Sequence, residues 1–423
     1  MARSKSSSGR NAALFKTIDR AVDETPVFDI HTHLFDPAMG NLLLWGIDDI
    51  LTFHYVLAEY FRMNPRMDPE IFHRRPKERQ ADAVWKSLFQ DHSPLSESTR
   101  GVLTILHELG FKNPRTATLS RMRSFFRRGT VRTHLDRVFR IAGVKKVIMT
   151  NDPLSREERA EMDRPRRRDP RFLTSFRIDS ILNQYPTEGR RALREMGYRV
   201  DAKLTPRTIS EISRFFDDWI ARLNPVYLAV SLPPDFQYPA DSPCGNLLEK
   251  AVLPVCRKYD LPLALMIGVQ RGVNPALRLA GDALGRADLS ALRTILQRHP
   301  KNKFMVTALS KENQHELSVL GRKFSNLMIF GCWWFLNVSS IVETMTRERL
   351  ELLGQSFTPQ HSDARVLEHL IYKWRDFRRA LKTVLKERYV KLADAGWFAT
   401  EKEIRRDVAD LLGGAFEKFI AGS

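Results

Sequence analysis

Two histidines separated by a single residue end an apolar segment near the start of the chain. The segment reads Phe28-Asp-Ile-His-Thr-His-Leu34, so these histidines are His31 and His33. On a β-strand, residues two apart point to the same side. The two imidazoles can therefore converge on one metal ion, and imidazole suits zinc, iron, nickel and similar ions. The alternative is that two histidines merely end a strand, and their place after the first strand of the pattern described below disfavours it.

A second polar group follows an apolar segment near the other end of the chain. The segment Phe357-Thr-Pro-Gln-His-Ser-Asp-Ala-Arg365 ends in Asp363 and Arg365, again two residues apart. If this segment is the last strand of a closed barrel, it lies beside the first strand. Asp363 can then supply a third metal ligand or polarise a bound water. An aspartate after a strand also commonly caps the next helix, so from these residues alone both roles stay open.

Between these two segments, short apolar runs alternate with helical patterns, which favours parallel βαβ units. Eight candidate strands are found, the number that a (β/α)8 TIM barrel requires. We predict that fold. The candidate strands are Pro26–His31, Lys146–Thr150, Arg171–Phe176, Val226–Ser231, Leu261–Gly268, Lys303–Leu309, Leu327–Trp333 and Phe357–Ser362.

One stretch interrupts this alternation. Residues 38–140 contain helical patterns but no convincing strand, so we predict a helical insertion subdomain after the first strand. Loops that follow barrel strands lie at the catalytic end, and the insertion would therefore cover the site. Residues 1–12 are predicted to be a mobile basic tail. The barrel with its insertion then takes up residues 13–423.

Charge and cysteine content limit the partners and the compartment. The net charge is +18, and the clearest basic cluster lies between Arg164 and Arg171. It is short, broken by prolines and without the aromatic residues that stack on single-stranded bases, so a solvated loop is favoured over a polyanion contact. Nucleic acid is not expected, whereas an anionic small molecule is compatible with the charge. Three unpatterned cysteines predict free thiols in a reducing cytoplasm. No transmembrane stretch or signal peptide is found, so no membrane contact is expected.

Several short motifs occur in an order that resembles the uronate isomerases (glucuronate isomerases), a branch of the amidohydrolase superfamily. The resemblance spans residues 14–419. The segments that carry it are Asp29-Ile-His-Thr-His-Leu34 (DxHxHL in the family), Phe53–Arg62 (DHYxxRxxR), Asn151-Asp-Pro153 (DDP), Ser175-Phe-Arg-Ile-Asp179 (FRPD), Gly268-Val-Gln-Arg271 (GAxR), Gly331-Cys-Trp-Trp-Phe335 (GxWWF), Ser362-Asp-Ala-Arg365 (TDSR) and Phe377-Arg-Arg379 (FRR).

The resemblance implies a TIM barrel of the metal-dependent hydrolase type that interconverts aldose and ketose forms of a hexuronate, as in glucuronate to fructuronate. His31, His33 and Asp363 would hold a divalent metal, for which zinc is expected. The substrate would be a small sugar acid, and a homo-oligomer is compatible with this assignment. The other residues that the resemblance marks are His54, Tyr55, Arg365, Arg177, Trp333 and Trp334.

His54 has a pKa suited to acid–base work. Tyr55 is a weak base unless a nearby cation lowers its pKa, and Arg365 is that cation in this interpretation. Tyr55 also lies in a helical pattern with apolar neighbours, so packing in the core is its alternative role. Arg177 offers a two-pronged guanidinium for an anionic substrate. Asp363 would take part in catalysis as well as in metal binding.

Trp333 and Trp334 would form an apolar wall of the site. Both fall within a predicted strand, where neighbouring side chains point to opposite faces. At most one of them is therefore expected to contact the substrate.

The chain also departs from the family pattern. Met266 stands where the family has a histidine, and Ser231 stands where it has an acid, with Asp235 as a substitute nearby. These changes indicate a different substrate, a weakened activity or a diverged paralogue. A metal-dependent hydrolase or decarboxylase, with Asp363 as proton acceptor, is the second hypothesis. A non-catalytic binding protein on the same barrel is the third.

Overall fold

Seven parallel strands form one sheet in the computed structural model, which describes residues 2–164 and 167–422. Their order in the sheet is β1-β2-β3-β4-β5-β8-β9, which is also their order along the chain. A short antiparallel hairpin, β6–β7, follows β5. The strands are β1 (Val27–Thr32), β2 (Val144–Asn151), β3 (Phe172–Arg177), β4 (Leu228–Leu232), β5 (Leu263–Ile267), β6 (Val269–Gln270), β7 (Ala283–Leu284), β8 (Phe304–Ala308) and β9 (Leu327–Ile329).

The sequence pattern located seven of the eight predicted strands correctly. In β1, β5 and β8 every residue is buried, as expected for parallel strands covered on both faces. The eighth, predicted over Phe357–Ser362, is not a regular strand. Only Thr358 forms a bridge there, to Phe330. Pro359 follows and has no N–H group to continue a ladder.

The segment 357–364 nevertheless lies between β9 and β1. Thr358 donates to Ile329 O at 3.0 Å, and its own carbonyl accepts from Gly331 N at 2.7 Å. At the other edge, Asp363 N donates to His31 O at 3.2 Å and His33 N donates to Ala364 O at 2.8 Å. These hydrogen bonds bring the C-terminal polar group beside the first strand.

Helices surround the sheet. They are α1 (Ala2–Glu24), α2 (Ile47–Leu51), α3 (His54–Met63), α4 (Pro69–Arg74), α5 (Lys77–Trp85), α6 (Glu97–Glu108), α7 (Leu119–Arg127), α8 (Val131–Ala142), α9 (Arg156–Met162), α10 (Asp179–Leu182), α11 (Glu188–Glu195), α12 (Pro206–Leu223), α13 (Pro243–Leu247), α14 (Leu253–Lys258), α15 (Ser290–Arg298), α16 (Gln314–Gly321), α17 (Ser339–Leu353), α18 (His369–Asp394), α19 (Glu401–Ala409) and α20 (Ala415–Ala421). None of the described helices is long and apolar enough to span a bilayer.

The described chain between β1 and β2 contains no strand, and α2 to α8 lie there. A buried contact ties this region to the C-terminal part of the chain. His134 of α8 lies with its Nε2 2.7 Å from Glu368 Oε1, which also accepts from Gly46 N at 3.0 Å. Both side chains of the pair are buried. Whether residues 38–140 form a separate subdomain stays a prediction.

The two ends of the sheet differ in character. At the amino end of β1, Phe28 packs edge-on against Phe416 of α20, with ring centroids 5.5 Å apart. Gly413 lies so close to Phe28 that an added Cβ would come within 2.6 Å of the Phe28 Cβ. Apolar residues therefore close this end of the sheet. The polar residues collect at the carboxyl ends of the strands.

Two predicted segments need separate mention. The backbone is helical from Ala2 onward, and the mobility predicted for residues 1–12 stays a prediction. The basic cluster between Arg164 and Arg171 lies partly outside the described residues, because residues 165 and 166 are not described. At its edges, Arg164 pairs with Glu161 and Arg171 pairs with Asp169.

Candidate active site

Three side chains with metal-binding atoms meet at the carboxyl end of β1. His31 lies in this strand, His33 directly follows it, and Asp363 comes from the segment beside it. Their three ligand atoms all lie within 4.8 Å of one another. Asp363 Oδ1 is 3.3 Å from His33 Nε2 and 3.9 Å from His31 Nε2. Within residues 2–164 and 167–422, this is the one group of three or more His, Cys, Asp or Glu residues arranged to hold a metal.

A buried tyrosine fixes which nitrogen of His31 carries the proton. Tyr227 donates its hydroxyl proton to Ile30 O at 2.7 Å. The same hydroxyl oxygen lies 3.1 Å from His31 Nδ1. Since the hydroxyl has no second proton, Nδ1 must be the donor in this contact. The lone pair of His31 is then on Nε2, the nitrogen that faces Asp363.

The donor set fits a divalent cation. His31 Nε2 and Asp363 Oδ1 are buried and have no hydrogen-bond partner among the described residues. Burial, together with His33, lowers the pKa of His31 to about 3, so the imidazole is neutral at neutral pH. Burial, with Arg365 next, also holds the pKa of His33 well below its ordinary value. Two neutral imidazoles and one carboxylate oxygen with unshared lone pairs facing one another suit an ion such as zinc.

Asp363 does not serve as a helix cap. The next helix, α18, begins at His369, and Glu368 occupies its N-cap position. Asp363 has a φ of 51°, in the left-handed region that aspartate tolerates better than most residues. Asp29 holds the preceding residue in place, because its carboxylate accepts from Ser362 N at 3.1 Å. The role left for Asp363 is that of a ligand or an acid–base group.

His54 and Tyr55 are adjacent in α3 but line different cavities. His54 is 8% exposed and lines the same cavity as the three ligands. Tyr55 lines the adjoining cavity instead, and its ring stacks on Trp334 at a centroid distance of 6.5 Å. Burial, with Arg365 next, keeps the pKa of His54 well below its ordinary value, so this histidine is neutral. Burial raises the pKa of the Tyr55 hydroxyl well above its ordinary value.

Three arginines line the cavity, and their pairing differs. Arg177 Nε and Nη2 both donate to the Asp179 carboxylate, at 3.0 and 3.1 Å. The two-pronged edge predicted to bind substrate is therefore already occupied. Arg271 pairs with Asp282 at 2.6 Å. In the described part of the chain, Arg365 makes neither an ion pair nor a hydrogen bond, and burial lowers its pKa.

The predicted strand placement of the two tryptophans was wrong. β9 ends at Ile329, and Gly331 follows with a φ of 67°. A Cβ at Gly331 would lie 1.7 Å from His361 Nδ1, so only glycine allows the chain to turn here. The chain then enters a short turn, and both Trp333 and Trp334 line the cavity. The expectation that at most one of them reaches the site assumed that side chains alternate between the two faces of a strand. The strand has already ended before Trp333, so this alternation does not apply.

Ser231 and Met266, two of the positions that depart from the family pattern, both face the cavity. Ser231 and Met266 are neighbours in the register of β4 and β5, and both line the site. Asp235 lines a separate outer cavity of about 510 Å³. The space directly over the metal cluster is only about 20 Å³, which by this measure is room for one or two waters. Arg271 belongs to the walls of both cavities.

Sequence reasoning missed two positioning residues. Tyr227 precedes β4 and reads as an ordinary core aromatic. Asp29 belongs to the quoted motif, yet its partners lie far away in sequence: Ser362 and the indole N–H of Trp374, the latter at 2.9 Å. Burial raises the pKa of Asp29 to about 6. A charged residue inside an apolar strand was the signal available for Asp29, whereas none was available for Tyr227.

The chain is similar to solved uronate isomerases. One from Bacillus halodurans is 47% identical, with 97% of each chain covered and a TM-score of 0.95. One from Thermotoga maritima is 17% identical, with 96% of this chain and 97% of that chain covered and a TM-score of 0.75. A glucuronate isomerase from Caulobacter crescentus is 15% identical, with a TM-score of 0.68 and 98% and 95% of the two chains covered. The last two similarities bear on the fold alone. No protein-family model and no curated protein matches the chain.

Proposed function

The chain belongs to the uronate isomerase family, and from that membership we propose that it interconverts the aldose and ketose forms of a hexuronate, as in glucuronate to fructuronate. The observation that carries this proposal is the 47% identity to the Bacillus halodurans uronate isomerase over 97% of both chains. The cluster of His31, His33 and Asp363 supports it independently, because the chemistry needs a polarised substrate oxygen.

The reaction moves hydrogen between two neighbouring carbons. In the aldose-to-ketose direction the C2–H bond breaks and a C1–H bond forms. The proton of the C2 hydroxyl moves to the C1 carbonyl oxygen. Atoms and electrons balance without an oxidant or reductant, so the site needs groups that accept, hold and return protons, and charge that stabilises the intermediate enediolate.

A divalent metal, for which zinc is our proposal, would be held by His31 Nε2, His33 Nε2 and Asp363. The orphaned lone pairs of this group support the assignment. When bound, such an ion supplies a Lewis acid that polarises substrate oxygens and orients the sugar. We infer that segment 357–364, although irregular, takes the place of an eighth strand and closes the barrel, which would bring these ligands together.

His54 is the group best placed to move the proton between C2 and C1. It lines the metal cavity, and its pKa, lowered first by burial and then by Arg365, leaves a free lone pair at neutral pH. Tyr55 packs against it, with ring centroids 4.5 Å apart. With a raised pKa, the Tyr55 hydroxyl can donate a proton but is a weak base. Its catalytic role stays a prediction that a Tyr55→Phe variant would test.

Arg365 is the group that we expect to bind the substrate's negative charge. Arg365 is half-buried and makes neither an ion pair nor a hydrogen bond among the described residues, whereas Arg177 is already paired with Asp179. A charge-assisted, two-pronged contact to a carboxylate or an enediolate is the strong form of such binding. Arg177 then contributes through its remaining N–H groups and its charge. Trp333 and Trp334 supply an apolar wall that excludes water.

A hexuronate is far larger than the space of about 20 Å³ over the cluster, so a wall residue has to move when substrate enters. Arg271 is the best candidate. Its side chain is 49% exposed and lines both this space and the outer cavity of about 510 Å³. We expect displacement of Arg271 to join the two cavities. Ser231 and Met266 then face the sugar, and they are the positions at which we expect sugar specificity to be set.

Two measurements test the proposal. Metal analysis of the purified protein should find about one divalent ion per chain. Incubation with glucuronate and with galacturonate, followed by ketose detection, should show turnover that Asp363→Asn removes. Bound metal without turnover of either hexuronate would favour the hydrolase or decarboxylase hypothesis. The cytoplasmic location and the homo-oligomer stay predictions.

A further inference from the structure

A second cavity of about 300 Å³ adjoins the metal cavity. It lies between α3, the start of α6, the turn after β9 and α18. Its apolar walls come from Tyr55, Leu279, Trp334, Phe335, Val338 and Tyr372. The metal site does not account for this space, because the three metal ligands are not among its walls.

One buried cation lines this cavity. Lys373 of α18 is 5% exposed and has no ion pair or hydrogen bond within the described residues. Its Nζ lies 5.6 Å from the ring centre of Tyr55 and 5.1 Å from that of Tyr372. Burial lowers the pKa of Lys373 to about 8, so the ammonium is still mostly protonated at neutral pH. A buried charge without a partner is costly, and an anion in the cavity would remove that cost.

Both carboxylates that line the cavity already have an arginine partner. Glu97 pairs at 2.5 Å with Arg100, which also pairs with Asp376, and Asp282 pairs with Arg271 at 2.6 Å. Among the described residues, Lys373 is therefore the one charged side chain in the cavity wall that lacks an ion pair. Helix α6 begins at Glu97, and its N-cap Ser96 also lines the cavity. The partial positive charge of a helix N-terminus has the same sign as the ammonium group.

We propose that this cavity is a binding site for a small organic monocarboxylate with an apolar ring or chain, whose carboxylate pairs with Lys373. The apolar body of such a ligand would pack against the aromatic walls. Most of the wall surface is apolar, which suits a ligand with an apolar body better than a sugar acid. His54 and Trp334 belong to the walls of both cavities. An occupant therefore contacts two residues of the proposed active site and should alter the isomerase rate.

Phenylacetate is a suitable probe, with 2-phenylethanol as its uncharged counterpart. Both are titrated into the full-length, metal-loaded protein by isothermal titration calorimetry. The wild-type protein should bind phenylacetate at least about tenfold more tightly than the alcohol, as expected for a hydrogen bond to a charged group. Lys373→Met should remove that difference and leave the affinity for the alcohol unchanged. Lys391→Met, an exposed position on the same helix, should behave as wild type.

A second variant covers the case in which Lys373→Met does not fold. Ala58→Leu narrows the cavity while Lys373 stays, and it should weaken both probes. Phenylacetate binding that persists in Lys373→Met and competes with glucuronate would place the anion on Arg365 and overturn the proposal. An absence of phenylacetate binding to the wild type would also overturn it. Because calorimetry reads binding directly, a negative isomerase assay would leave this result standing.

Discussion

Substitution of Tyr227 by phenylalanine tests whether a buried hydroxyl sets the tautomer of a metal ligand. The change removes one oxygen atom that is fully buried, accepts from His31 Nδ1 at 3.1 Å and donates to Ile30 O at 2.7 Å. Without it, the imidazole proton can occupy either nitrogen, and protonation of Nε2 blocks metal binding. Loss of such a supporting partner typically weakens metal affinity about 10- to 100-fold, which corresponds to about 1.4–2.7 kcal/mol.

The free energy of unfolding should fall as well, by about 1–3 kcal/mol, because a buried carbonyl loses its donor. A matched control separates the two effects. Tyr389 of α18 is also buried and lies away from the metal cluster. Its hydroxyl donates to Asp407 at 2.8 Å. Tyr389→Phe should lose stability but keep its metal affinity. Affinities are measured by competition with a chelator and stabilities by urea titration. If Tyr227→Phe binds metal within twofold of wild type, the tautomer argument is wrong.

Four further perturbations follow from the geometry. Asp363→Asn should abolish metal binding in elemental analysis, yet change the unfolding free energy of the metal-free protein by no more than about 0.5 kcal/mol, because Oδ1 has no hydrogen bond to lose among the described residues. Burial raises the pKa of Glu158 to about 8, above its unfolded value of about 4.3. Between these two pH values the folded state binds the proton more tightly than the unfolded state, so stability falls as pH rises through this window. In Glu158→Gln the urea midpoint should therefore depend less on pH between pH 5 and pH 8 than it does in the wild type. Parallel pH profiles of the two proteins would contradict the raised pKa. Arg365→Met should lower kcat/KM for glucuronate about 10- to 100-fold, and Arg365→Lys should retain part of the lost activity. A kcat/KM of Arg365→Met equal to that of the wild type would show that this residue does not bind the substrate. Glu368→Gln should lower the unfolding free energy by about 1–3 kcal/mol, because it weakens the buried contact to His134. An unchanged thermal midpoint would show that this contact does not anchor the region between β1 and β2.

The parts of the fold that follow from local physics were predictable. A buried parallel strand reads as a run of apolar residues, and seven of these runs contain strands, although β9 ends at Ile329 and not at Trp333. The spacing of His31 and His33 predicted that both side chains share one face. The hydrogen bonds between β1 and a polar segment more than 300 residues later are not local, since they depend on how the whole chain folds. Here the prediction rested on the order of the strands and on the family resemblance.

Other features depend on contacts that no local pattern encodes. Gly331 ends β9 early because His361 lies against it, and this placed Trp333 and Trp334 in a turn. The pairing of Arg177 with Asp179 could be suspected from their spacing of two residues. Its consequence, that Arg365 is left as the unpaired arginine, needs the positions of every acid around the cavity. Likewise, the sequence gives no sign that Tyr227 contacts His31.

The spacing of Asp363 and Arg365 links the metal site to the substrate site. Both residues line one cavity, so the cation that we expect to bind substrate also lies close to the metal ligands. After burial, Arg365 is the largest cause of the lowered pKa of His33. A lower pKa means that fewer protons compete with the metal for the imidazole. Replacement of Arg365 by methionine removes this effect on the pKa of His33, and it also removes a charge that repels the metal ion. Metal binding should therefore strengthen at neutral pH, whereas on acidification the loss of binding that accompanies protonation of His33 should begin at a higher pH than in the wild type. An unchanged pH profile of metal affinity would mean that burial alone keeps His33 neutral.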